Sequence, residues 1–265
     1  MILRDGLSFV ARSLSALFFP RTCSFCDSLV DCSGGALCGE CYSAIKWVTE
    51  SVCDLCGRPF PGISAKGPEL CGSCLSSELP YDKVRYAAHY EGELRKAIVR
   101  FKYYGGLYVA DALGQVLMEA FFRNFGHADF DLIVPVPIHR KRLVSRGFNQ
   151  AVVLADKLSH GTGIGLDRIS LCKIKDTPPQ VGLSRRERIE NLRGTLAVCR
   201  EHAVRNKSVL LVDDVATSGA TIREASKTLK KAGATRVGVL VLALRSLGGP
   251  ETVVTDGPVE TEESS

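Results

Sequence analysis

Eight of the eleven cysteines fall in four Cys-x-x-Cys pairs, all before residue 75, and this spacing restricts the fold more than any other feature of the chain. Cys23, Cys26, Cys38 and Cys41 form one set of four, and Cys53, Cys56, Cys71 and Cys74 a second. Eleven residues separate the pairs of the first set and fourteen those of the second, a spacing typical of zinc ribbons. Residues 22–76 are otherwise rich in Gly and Ser with little hydrophobic periodicity, so they bury little apolar surface and need metal or cross-links to hold a shape. A tetrahedral site of four thiolates keeps no open ligand position, so two such zinc ions would be structural. Each could contribute ~10–16 kcal/mol to folding.

Disulfides or redox pairs are the competing reading, and a reducing compartment disfavours it. Spacing alone leaves sequential and interleaved pairing open; sequential ribbons are expected. Gly39, Gly57 and Gly72 each follow a cysteine, where a tight metal knuckle favours positive φ. Cys32, Cys172 and Cys199 stand apart and read as small buried apolar residues.

No apolar run reaches the ~20 residues that cross a bilayer. Residues 1–20 are apolar but interrupted by Arg4, Asp5 and Arg12, and lack a small-residue cleavage site, so a cytoplasmic protein is expected. Ile2, Leu3, Leu7, Val10, Leu14, Leu17 and Phe18 line one side of a short helix over residues 2–19. That helix packs on the body of the protein or makes peripheral membrane contact; its few cations favour packing.

Beyond Pro80 the texture changes to alternating strands and helices. Strands are expected at 84–90, 132–136, 169–174, 195–198, 209–212 and 237–244, with helices at 94–101, 107–125, 149–158 and 221–232. Strands apolar on both faces, alternating with helices, indicate a parallel sheet covered on both sides. The expected organisation is an N-terminal helix (1–21), a double zinc ribbon (22–76), an α/β domain (77–249) and an acidic, disordered tail (250–265). The tail holds five acids and no Lys or Arg, so all 34 basic residues precede it, against 24 acids. Residues 138–193 alone carry twelve basic and five acidic side chains, a surplus suited to a polyanionic small molecule or a nucleic-acid backbone, or to a solvated surface.

Residues 209–221 read Val-Leu-Leu-Val-Asp-Asp-Val-Ala-Thr-Ser-Gly-Ala-Thr. A buried strand ends in Asp213 and Asp214, a small-residue loop follows, and a helix begins near Thr221. Ligands of open parallel sheets bind beyond the carboxyl ends of strands, where loop and helix amides attract phosphate. Gly219 permits close approach, and Thr217, Ser218 and Thr221 offer hydroxyl donors. Two acids would repel a phosphate unless ribose hydroxyls or Mg²⁺ engaged them. Neither a Gly-Lys-Ser/Thr nucleotide loop nor Gly-x-Gly-x-x-Gly is present. The ordinary alternative is a strand, an Asx turn and a capped helix.

These thirteen residues resemble the signature of type I phosphoribosyltransferases. The resemblance implies a type I phosphoribosyltransferase-like parallel sheet with helices on both faces. It further implies that Asp213 and Asp214 bind the ribose hydroxyls of phosphoribosyl pyrophosphate, while Ala216, Thr217, Ser218, Gly219, Ala220 and Thr221 hold its 5′-phosphate.

Two basic stretches precede this loop in sequence. Val134-Pro-Val-Pro-Ile-His-Arg-Lys-Arg142 and Arg146-Gly-Phe-Asn-Gln150 follow an earlier strand, and Arg140, Arg142 and Arg146 could face a pyrophosphate, which Arg binds bidentately, or could form a solvated turn. Residues 180–193, with Arg185 and Arg186, read as a mobile lid or as a surface helix laced with Arg–Glu pairs. Together with the cysteine ribbons and Gln180-x-x-Leu-x-x-x-x-Arg-x-x-Asn-Leu-x-Gly194, these motifs resemble the ComF family in colinear order over residues 20–245. That resemblance implies a phosphoribosyltransferase-like domain linked to DNA uptake in natural competence.

Two functions follow. As an enzyme, the protein would bind phosphoribosyl pyrophosphate with Mg²⁺ and release pyrophosphate by positioning and charge stabilisation, with Arg185 and Arg186 beside the leaving group. As a binding protein, it would sense that ligand, or use its ribbon and basic surface to bind single-stranded DNA or a DNA-uptake helicase, although only Phe25 and Trp47 lie near the first ribbon for base stacking.

Overall fold

The computed structural model describes residues 22–30, 36–49, 51–59, 69–103, 106–176 and 185–245, without the side chains of 127, 185, 186, 188 and 189. The expected helix over 2–19, the acidic tail and Cys32 lie outside these residues.

The main sheet has five strands in the order β1-β7-β6-β2-β3, all parallel: β1 (Lys83–His89), β2 (Leu132–Pro135), β3 (Gly165–Leu166), β6 (Ser208–Ala216) and β7 (Arg236–Leu244). Its central strands are apolar on both sides because both are covered. Alternate residues of a strand face opposite ways. Thus Leu210, Val212, Leu240 and Leu242 pack with α3 (Gly92–Tyr103), α4 (Ala110–Asn124) and α6 (Gln150–Thr162). Val209, Leu211, Val237, Val239 and Val241 pack against Ile222, Ala225 and Leu229 of α9 (Ala220–Lys231). Each fully buried Leu or Val of this kind contributes roughly 1.5–3 kcal/mol relative to exposure.

Three expectations need correction. Residues 169–174 and 195–198 do not join the parallel sheet; they supply β4 (Leu171–Lys173) and β5 (Leu196–Val198), a separate antiparallel pair. Of the apolar residues there only Leu171 and Leu196 are buried, while Ile169 and Ile174 are half-exposed, so the pair has one covered face and cannot serve as a central strand. The edge next to β2 is instead taken by β3. The basic stretch after β2 is largely helical, as α5 (Arg140–Arg146), rather than a loop. Cys199 is exposed and Cys172 half-buried, not core residues.

The N-terminal module packs on the open edge of β1. Trp47 bridges Ala88, the Val48 amide donates to the Ala87 carbonyl (3.1 Å), and the His89 amide donates to that of Lys46 (2.8 Å). An edge strand is thereby covered. Short helices α1 (Gly39–Ser43) and α2 (Gly72–Leu75) each carry the last cysteine of a set. Between α6 and β6 lie α7 (Arg185–Leu192) and α8 (Glu201–Val204).

Candidate ligand site and metal centres

The strand order places a topological switch between β6 and β2. The chain leaves β6 toward β7 on one side, and leaves β2 toward β3 on the other. Connections that diverge in this way open a crevice at the carboxyl ends of the two strands, where ligands of such sheets bind. The acid-and-glycine loop after β6 and the Arg146-Gly-Phe-Asn-Gln stretch after β2 both follow the carboxyl ends of these two strands.

Strand β6 runs past the two acids to Ala216, because β7 continues alongside it as far as Leu244. The connecting loop is therefore only residues 217–219, and α9 starts at Ala220, one residue earlier than expected. Gly219 caps the helix with φ of 77°, a left-handed conformation that a residue with a Cβ adopts only under strain. Ser218 is buried, and its Oγ accepts from the Ala220 amide at 3.4 Å.

Alternation puts Asp214 on the same face as Leu210 and Val212, the face covered by α3. Lys102, in the last turn of α3, reaches it: Nζ lies 2.9 Å from Asp214 Oδ2, with the two side chains 17% and 15% exposed. Burial by itself would lower the pKa of Lys102, but Asp214 outweighs it and holds the ammonium charged. Asp213 has the opposite fate. Burial, and then the neighbouring Asp214 charge, push its pKa up to about 8, against the weaker pull of the Asp214 amide and Lys102. The Asp214 amide donates to Asp213 Oδ1 (2.9 Å) and the Val215 amide to Asp214 Oδ1 (2.6 Å). Two adjacent acids thus have unlike surroundings: Asp214 faces a cation, and Asp213 is buried so as to favour its proton.

The Arg146-Gly-Phe-Asn-Gln motif is explained largely by structure. The chain turns at Gly147, the Phe148 ring packs 5.3 Å from that of Phe101, and Asn149 caps α6 while its Nδ2 donates to the Val136 carbonyl (3.0 Å). The effect is to fix Arg146 beside the end of β2. Its guanidinium lies over the Tyr103 ring, 5.1 Å from the centroid, and donates to Tyr103 Oη (3.1 Å). Arg146 is also near enough to Lys102 for its charge to oppose that lysine's protonation. Arg140 is exposed, and Arg142 points its influence toward Lys173, whose pKa falls through burial and then Arg142. Arg185 and Arg186 open α7, and their side chains are not described.

Two site cations were not expected from sequence. Lys102 sits in Phe-Lys-Tyr-Tyr-Gly-Gly, where a lone lysine before a glycine turn is the only hint. Arg58 comes from the second ribbon, and its Nη2 donates to the Thr217 carbonyl at 2.6 Å. Nothing in its local sequence, Cys-Gly-Arg-Pro, points toward residue 217.

The eight paired cysteines converge in two sequential groups, Cys23, Cys26, Cys38 and Cys41, and Cys53, Cys56, Cys71 and Cys74, with the ligand atoms of each group within 4.8 Å of one another. Cys26 and Cys38 Sγ are 3.7 Å apart, as are those of Cys56 and Cys71. Zn–S bonds of ~2.3 Å in a tetrahedron require S···S edges of ~3.8 Å, so the groups fit zinc, whereas a disulfide needs ~2.05 Å. Amides of Cys38, Cys41 and Cys71 donate to Cys23, Cys38 and Cys53 sulfurs at 3.3–3.4 Å, the bonds that favour thiolate. Of the three glycines, only Gly57 has positive φ (66°); Gly39 and Gly72 start α1 and α2.

The fold and these centres define a phosphoribosyltransferase-like domain preceded by a double zinc ribbon with two four-cysteine sites. Residues 14–75 match the double zinc ribbon domain family and residues 144–257 the phosphoribosyl transferase domain family. The chain is 31% identical to Competence protein F of Haemophilus influenzae over 230 residues, covering 85% of this chain and 98% of that protein. It is 30% identical to DNA utilization protein YhgH of Salmonella typhimurium over 230 residues, with the same coverage. To Competence protein ComFC of Bacillus subtilis it is 28% identical over 206 residues, 74% of this chain and 79% of that one. The chain belongs to the ComF family.

Proposed function

We propose that the protein binds phosphoribosyl pyrophosphate with Mg²⁺ and transfers the phosphoribosyl group with release of pyrophosphate. The observation that carries this reading is the acid pair near the end of β6, at the switch between β6 and β2, followed within six residues by the left-handed Gly219 and the start of α9. Amides at a helix start favour a phosphate, and an acid pair beside it suits the hydroxyls of a ribose. In this reading Asp213 and Asp214 accept from the ribose hydroxyls and residues 216–221 hold the 5′-phosphate. Arg146, with Arg140, Arg142, Arg185 and Arg186, neutralises the departing pyrophosphate. The acceptor attacks the anomeric carbon, the bond to pyrophosphate breaks, and the protein contributes position and charge rather than a nucleophile.

Pyrophosphate release with purine and pyrimidine bases, amines and ammonia tests the reaction. Turnover with one acceptor, abolished in Asp213→Asn, Asp214→Asn, is the expected result. Binding without turnover for every acceptor would reduce the reading to a ligand sensor.

The names of the relatives, competence and DNA utilization proteins, favour a second reading in which the protein handles DNA. The basic surplus of residues 138–193 supports it. Salt-dependent binding of single-stranded DNA that weakens on replacing Arg140 and Arg142 by Gln is its expected signature.

A further inference from the structure

Among the described residues, Arg58 carries a side-chain hydrogen bond from the second zinc ribbon to the phosphate loop. Arg58 stands two residues after Cys56, and its backbone belongs to the metal knuckle: the Cys53 amide donates to the Arg58 carbonyl (3.0 Å), and the Gly57 amide donates to that of Cys53 (2.8 Å). The knuckle is in turn locked to the sheet. The Val84 amide donates to the Leu55 carbonyl (2.8 Å), and buried Arg85 of β1 donates to the Asp54 carbonyl (2.9 Å) while its other nitrogen pairs with the Asp54 carboxylate (3.6 Å). Gly57 fits so closely that a Cβ there would lie 2.2 Å from the Val84 carbonyl oxygen.

From this anchored point the guanidinium extends to the Thr217 carbonyl, with Nη2 also 3.8 Å from where a Cβ of Gly219 would stand. A trans peptide directs its N–H opposite to its C=O. Holding the Thr217 carbonyl toward the ribbon therefore turns the Ser218 amide the other way, out of the contact with Arg58. The same guanidinium puts a permanent positive charge against the three-residue loop that precedes α9.

We propose that Arg58 is a positioning residue of the phosphate loop, so that zinc binding at the second ribbon and phosphate binding at residues 216–221 reinforce one another. The proposal rests on the phosphoribosyl reading above. It gives the ribbon a role in ligand binding, distinct from stabilising its own segment. By linkage, whatever factor zinc adds to phosphate affinity, phosphate must add to zinc affinity.

The test uses the full, zinc-loaded chain with ribose 5-phosphate and with inorganic pyrophosphate as separate calorimetric probes. Arg58→Ala should weaken ribose 5-phosphate about tenfold or more, with zinc content unchanged and pyrophosphate affinity within about twofold. Arg58→Lys, which keeps the charge and loses the planar fork, should recover part of the affinity. Ribose 5-phosphate at saturation should slow zinc transfer to a colorimetric chelator in the wild type and not in Arg58→Ala. Equal ribose 5-phosphate affinity in wild type and both variants overturns the proposal and leaves the phosphoribosyl reading standing. No binding of ribose 5-phosphate or phosphoribosyl pyrophosphate by the wild type overturns both.

Discussion

Lys102 Nζ lies 2.9 Å from Asp214 Oδ2, joining the last turn of the helix after β1 to the end of the central strand β6. The lysine supplies the positive charge that the largely enclosed Asp214 carboxylate requires. If ribose hydroxyls engage Asp214, as the phosphoribosyl reading proposes, the lysine must share that carboxylate or move.

Lys102→Met should therefore cost about 3 kcal/mol of stability, the lower end of the range for breaking a buried pair, because both side chains retain some exposure. Urea unfolding at neutral pH measures it. The double variant Lys102→Met, Asp214→Asn should regain most of the loss, since no unpaired charge remains. A single variant as stable as the wild type would show that solvent already screens the pair.

The raised pKa of Asp213 has a definite sign. The folded protein keeps a proton, up to about pH 8, that the unfolded chain loses near the ordinary carboxylate value. Its stabilising contribution is complete below about pH 4 and lost as pH climbs through about 8. Melting temperatures should fall across that window in the wild type and fall less in Asp213→Asn. If the ribose hydroxyls need the carboxylate, ligand binding at pH 7 should release up to about one proton, read by calorimetry in buffers of different ionisation enthalpy. A zero proton count excludes Asp213 as the titrating acceptor.

Elemental analysis of the purified chain should find two zinc ions, and Cys53→Ser should lower the count to about one while leaving the first ribbon loaded. Loss of both ions would instead mean that the two sites hold or fall together. Chelation should unfold the ribbons, which lack a sizeable core of their own, as the cooperative loss of ~10–16 kcal/mol per site implies.

Gly57→Ala tests the docking of ribbon on sheet. With φ of 66° and the Val84 carbonyl oxygen 2.2 Å from the added Cβ, the variant must either strain the knuckle or lift it from β1. Destabilisation of about 2 kcal/mol or more, with faster zinc loss, is expected. Wild-type behaviour would mean that the ribbon is not seated on Val84.

Much of this was legible along the chain because it depends on local order. Cysteine spacing pointed to two four-thiolate metal sites, while the fold decided that the pairs combine sequentially. The doubly apolar strands 209–212 and 237–244 marked central positions of a parallel sheet, because only burial on both faces tolerates such runs. The run from Asp213 to Thr221 marked a strand end, a glycine turn and a helix start in the same way, acids then hydroxyls then glycine, each within a few residues of the next. Residues 169–174 and 195–198 misled because short runs of moderate hydrophobicity do not reveal whether one face or two will be covered.

What only the tertiary structure decided lies at distances the chain does not encode locally. Sequence placed Arg140, Arg142 and Arg146 together, yet the turn at Gly147 and the packing of Phe148 on Phe101 bring Arg146 to the crevice, while Arg140 is left exposed and Arg142 beside Lys173. The pairing of Lys102 with Asp214 exists because α3 crosses the face on which alternation places Asp214. The contact from Arg58 to Thr217 spans the two modules. Both depend on how helices and ribbon pack against the sheet, a global outcome of burial, whereas motif spacing reports only what neighbours along the backbone can reach.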